Sequence, residues 1–69
     1  MKVYSFQWCT FAHYVVAASK KIAVEWYKEN QNCSDADLND FVIITNETKS
    51  FDNFEYSEIP YILKTEEYD

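Results

Sequence analysis

Tyr4, Phe6 and Trp8 alternate with Val3, Ser5, Gln7 and Cys9 near the start of a 69-residue chain. That period of two constrains the fold more than any other feature of the sequence. Large apolar side chains at every second position set one face of an extended segment against a core. The length leaves room for one domain, read here as residues 1–69. In so short a chain, ordering costs roughly 1.5 kcal/mol per residue, against about 25 cal/mol for each Å² of apolar surface buried. Thirteen aromatics, 19 % of the residues, offset this, since each buries about 150–250 Å². A disordered acidic tail is excluded, because such tails lack aromatic and β-branched residues.

A second apolar run, Tyr14 to Ala18, is short and valine-rich, and pairs with the first as a hairpin through Thr10–His13. Ser19 is a suitable N-cap, its hydroxyl facing the unpaired amides of the next turn. From Lys20 the period becomes helical. Ile22, Ala23, Trp26 and Tyr27 form an apolar stripe, with Lys21, Glu25, Lys28 and Glu29 away from it. Asn30-Gln31-Asn32 ends this helix, asparagine replacing the glycine that the chain lacks. Ser34 caps a short helical turn through Leu38. Phe41 to Thr45 reads as a strand, Asn46 to Asn53 as a loop, and Phe54 with Tyr56 as a brief extended piece. Ser57-Glu58-Ile59-Pro60 reads as the start of a C-terminal helix, with Tyr61, Ile62 and Leu63 on its apolar face and fraying from Glu66 to Asp69. The expected fold class is α+β: a small antiparallel sheet of about three strands, one main helix packed on it, and a short C-terminal helix.

Charge is unevenly spread. The net charge is −6, with six lysines and no arginine. Residues 1–33 hold four lysines and two glutamates, a balance of +2, whereas residues 34–69 hold ten acids and two lysines, a balance of −8. An acidic half repels nucleic acid and anionic membrane as direct ligands. No apolar run approaches the 18 or so residues needed to span a bilayer, and the N-terminus has no signal-peptide pattern. Two cysteines, Cys9 and Cys33, are too few for a disulfide scaffold. The expected location is the cytoplasm, with both thiols reduced.

The constellations that carry chemistry elsewhere are incomplete here. Asp35, Asp37 and Asn39 have the spacing of the first ligands of a calcium loop, but Asp40 stands where glycine is needed and Asn46 where glutamate is needed. Cys9, His13 and Cys33 do not have the spacing of a zinc knuckle. Cys9 with His13 makes a nucleophilic pair only on paper, with no glycine to open an oxyanion hole. No cofactor, no metal site, no catalytic residue and no enzymatic activity are expected.

What remains is the acidic half. Asp52, Glu55 and Glu58 recur every third residue, and Asp37 and Asp40 precede them. Alternate strand residues lie about 6.6 Å apart and helical neighbours about 5–6 Å. Such spacing loosely imitates a phosphate backbone with about one charge per 1.7 Å. These five residues are the expected partner-binding set, facing the basic surface of a nucleic-acid-binding protein. The alternative is a small adaptor or homodimer that uses an apolar aromatic face, Trp8 or Trp26 with Tyr27.

Tyr14-Val15-Val16-Ala17-Ala18-Ser19 leading into a helix from Lys20 to Asn30, within a short acidic chain, resembles small phage-encoded proteins of the anti-CRISPR type. The likeness is of size, charge and organisation along the whole chain, and it transfers no residue role. It implies a stoichiometric inhibitor that binds a Cas nuclease or surveillance complex in an infected bacterium and blocks nucleic-acid entry or cleavage.

Overall fold

The aromatic alternation forms β1 (Lys2–Gln7), and the valine-rich run forms β2 (Phe11–Ala17) in a computed structural model that describes residues 1–68. The two pair antiparallel, with Tyr4 opposite Val15 and Phe6 opposite His13. Their turn comes earlier than Thr10–His13. The Trp8 N–H donates to the Phe11 carbonyl at 2.7 Å, leaving only Cys9 and Thr10 between the strands. Neither is the glycine or asparagine that usually marks a two-residue hairpin, and neither has a positive φ.

Next come α1 (Lys20–Gln31), α2 (Asp35–Phe41), β3 (Ile43–Asn46), a single 3₁₀ turn (Thr48–Ser50) and β4 (Tyr61–Glu67). The fold is α+β with four antiparallel strands in the order β3-β1-β2-β4, where about three were expected. Ser19 caps α1, accepting the Ile22 N–H at 3.3 Å. Asn32 ends it in the left-handed region at φ 54°, where Asn is tolerated better than other side chains. Ser34 and Asp37 form a reciprocal capping box on α2, which satisfies two orphan amides at once. That helix runs on to Phe41, so the strand expected over Phe41 to Thr45 begins only at Ile43.

The C-terminal helix is not formed, and Tyr61–Glu67 is a strand against β2 instead. An isolated helix of nine residues is marginal, whereas β2 needs a partner on its second edge. Tyr61, Ile62 and Thr65 suit a pleated surface. The fraying expected at Asp69 lies outside the described residues.

Both faces of the sheet are covered. On one face Tyr4, Phe6, Val15 and Ala17 pack with Ala23 and Tyr27 of α1 and Leu38 of α2. The helical stripe centres on Ala23 and Tyr27, with Val24 and Trp26 partly buried beside them. Ile22 lies at its margin, exposed. The other face carries Val3, Ser5, Ala12 and Val16, all buried. Because β3 and β4 are opposite edges, the chain between them must cross this second face. Residues 47–60 are therefore a strap across the sheet, where a loop is expected over Asn46 to Asn53.

The left-handed cap gives a direct check. Asn32→Gly should hold or raise stability, since glycine has no Cβ to clash in the left-handed region. Asn32→Ala should cost about 1 kcal/mol, because alanine keeps the Cβ and loses the short polar side chain that lets asparagine adopt that conformation. Urea midpoints of the two variants measure the difference.

Candidate functional site

The strap is fastened at both ends. At its start the Glu47 N–H donates to the Val3 carbonyl at 2.8 Å. The Thr48 hydroxyl accepts the Val3 N–H at 3.0 Å and donates to Asn46 Oδ1 at 2.6 Å. Ser50 donates to the Glu47 carboxylate at 2.9 Å. In the middle the Phe51 ring meets Tyr14 edge-on, with centroids 5.3 Å apart. Tyr14 is itself held by a 3.0 Å bond to Glu66, and burial together with that carboxylate pushes its hydroxyl pKa up to about 12. At the far end the Tyr61 hydroxyl donates to the Glu55 carbonyl.

Asp52, Glu55 and Glu58 are exposed on this strap. Asp37 and Asp40 are not with them. They belong to α2, which packs through Leu38 on the opposite face of the sheet. Asp37 is partly committed, since its Oδ2 accepts the Ser34 N–H at 3.1 Å. The five expected residues thus divide into a strap group of three and a helix group of two. Among the described residues the ion pairs are Lys28–Asp35 at 2.8 Å and Lys64–Glu66 at 3.5 Å. None of the five has a lysine partner. From Glu47 to Glu67 there are six acids and two lysines, a balance of −4, and Glu66 shares a sheet face with the strap through Tyr14.

Apolar side chains that periodicity did not single out stand among these acids. Tyr56 is 76 % exposed and Ile59 69 % exposed. Tyr56, with Glu58 and Pro60, lines a shallow depression of about 90 Å³ that also touches Met1 and Ile22. The signal available in the sequence was Pro60, which argues against burying Ile59 in a regular helix.

Of the aromatic residues named for an alternative docking face, Tyr27 is buried, whereas Trp8 and Trp26 are only partly buried against the core. Tyr27 is fully buried and stacks on Phe6, with centroids 4.1 Å apart. Its hydroxyl accepts from Trp8 Nε1 at 2.7 Å and lies 2.6 Å from His13 Nδ1. Indole N–H only donates, so the tyrosine oxygen is the acceptor towards Trp8. Towards His13 the phenol donates when the imidazole proton is on Nε2 and accepts when it is on Nδ1. Burial pushes the His13 pKa down. Cys9 is exposed in the hairpin turn, while Cys33 is half-buried. Burial and then the Asp37 charge push the Cys33 thiol pKa up, away from the thiolate that nucleophilic chemistry requires. Among the described residues no three His, Cys, Asp or Glu side chains gather as a metal-ligand set. No described helix is long and apolar enough to cross a membrane.

Two outcomes follow from the buried hydroxyl. Tyr27→Phe leaves the Trp8 N–H without its acceptor and should cost about 1–3 kcal/mol by urea denaturation. Because folding lowers the His13 pKa, its contribution is fully present above about pH 6.5 and declines as the pH falls through the folded pKa. The urea midpoint of wild type should therefore fall more steeply than that of His13→Asn between about pH 7 and about pH 5. Equal slopes would remove His13 from the acid response.

Comparison with protein-family models, with characterised proteins and with solved structures finds no match for this chain.

Proposed function

We propose that this protein is a non-enzymatic, stoichiometric inhibitor that covers the basic nucleic-acid-binding surface of a defence protein in the bacterial cytoplasm. A CRISPR nuclease or surveillance complex is the partner implied by the resemblance to small phage-encoded inhibitors. The observation that carries the reading is the strap: Asp52, Glu55 and Glu58 are exposed, lack lysine partners, and ride on a segment pinned to the sheet at Val3, Tyr14 and Tyr61. Charges held in place by a fixed backbone keep their mutual spacing on binding, which lowers the ordering cost of an interface. A surface of one sign also steers association with an oppositely charged partner.

The strap group bears the binding in this reading, and the α2 pair serves as its internal control. Purified Cas nucleases and surveillance complexes, titrated with the protein against labelled DNA, provide the assay. Asp52→Lys with Glu55→Lys and Glu58→Lys should weaken binding more than tenfold, chiefly through slower association. Asp40→Lys should change it less than threefold. Raising salt should weaken the wild-type complex and barely move the triple variant. A triple variant that binds within twofold of wild type would defeat the electrostatic reading.

A further inference from the structure

The two edges of the sheet differ in kind. β4 carries Lys64, Glu66 and Glu67, and its pairing with β2 shifts register at Tyr14/Val15. Edge charges and irregular pairing are among the features that stop a free edge from recruiting another strand. β3 has neither, and only its length of four residues guards it. It reads Ile43-Ile44-Thr45-Asn46 and pairs with β1 in uninterrupted register, and the strip from Phe41 to Asn46 holds no charge. Phe41 is 64 % exposed and Ile43 67 % exposed. On the helix side of the same edge, a groove of about 370 Å³ is lined by Val24, Leu38, Val42 and Ile44, with Lys20, Asp35 and Asn39.

The ladder shows which groups are free. The Glu47 N–H bonds to the Val3 carbonyl. Bonded and non-bonded pairs alternate in an antiparallel ladder, so Thr45 and Ile43 bond to β1 while the backbone groups of Ile44 and Asn46 point outward.

We infer that β3 is a self-association edge, on which a second copy of this chain docks its own β3 antiparallel. A two-fold interface requires a residue to face its own copy. With the axis at Ile44, the two Ile44 backbones exchange both their hydrogen bonds, and each Asn46 N–H reaches the Val42 carbonyl of the other copy. Ile43 then covers Thr45 across the pair, and the Ile44 side chains join the two grooves. A second copy is favoured over a basic protein or a nucleic acid, because the strip is uncharged and its outward N–H and C=O groups match those of its own copy about a two-fold axis. The strip offers no acid to a basic protein and no lysine to a nucleic acid, and two chains of net charge −6 meet along it without opposed charges in the ladder. The inference is independent of the strap: salt should strengthen this contact or leave it unchanged by screening the mutual repulsion, the reverse of its effect on an acid–base interface.

Sedimentation equilibrium of the full chain over a concentration series, at low and moderate salt, tests it. The wild-type mass should rise from 8.2 kDa toward double that value, and rise at least as readily at the higher salt. Ile43→Lys, with an unchanged circular dichroism spectrum, should stay monomeric over the same range, and Thr45→Lys should do the same if the first variant folds poorly. Exchange of the Ile44 and Asn46 amide protons should slow as concentration increases. A wild type that stays monomeric throughout would overturn the proposal. So would lysine variants that dimerise as readily, or a dimer in which those two amides exchange at the monomer rate.

Discussion

The strap depends on one topological constraint: β3 and β4 lie at opposite edges of a four-stranded sheet, and the chain that joins them has to cross it. Both helices already occupy one face, through Tyr27 and Leu38. The crossing therefore takes the other, a width of about 14 Å for three strand spacings. Fourteen residues can reach about three times that far, so the slack goes into laying side chains down. Val3 and Val16 would otherwise be open to water, and fully burying a valine contributes roughly 1.5–3 kcal/mol. For a chain near the lower size limit of independent folding, that second layer is a large share of what makes the fold possible.

On the helix face the organising residue is Tyr27. Its ring stacks on Phe6 and its hydroxyl joins Trp8 to His13, so the hairpin and the helix are bound by packing and by polar contacts at one point. A buried polar network of this kind specifies one arrangement when every member is satisfied. No buried side-chain nitrogen or oxygen among the described residues lacks a partner. The same arrangement keeps Tyr4, Phe6 and Tyr27 out of reach of a partner, since all three are buried.

Much of the local structure was legible because its signals are local. Alternation from Tyr4 to Trp8, the Ser19 and Ser34 caps and the Asn32 terminator each depend on neighbours within four residues. What failed depends on distant partners. Tyr61–Glu67 has no strong periodicity, and it becomes a strand because β2 has a free edge some 50 residues earlier in the chain. Cys9-Thr10 makes a tight turn without a turn signature, since the register between Gln7 and Ala12 sets its length. The grouping of the acids was unreadable for the same reason. Asp37 and Asp40 precede Asp52, Glu55 and Glu58 closely in sequence, but a strand and a crossing place the two groups on opposite faces. Exposure of Phe41 and Ile43 was equally hidden, because apolar residues near a strand read as core.

The functional reading turns on whether the strap is a fixed layer or a loose tether, since only a fixed layer keeps three carboxylates at set spacing. Backbone ¹⁵N relaxation across residues 51–58 measures this most directly. Order parameters near 0.85, the value of rigid backbone, are expected wherever the strap is held by Phe51 and by the Glu55 carbonyl. Values below about 0.6 through the segment would mean that Asp52, Glu55 and Glu58 share no fixed geometry, and would contradict the strap as a preformed surface.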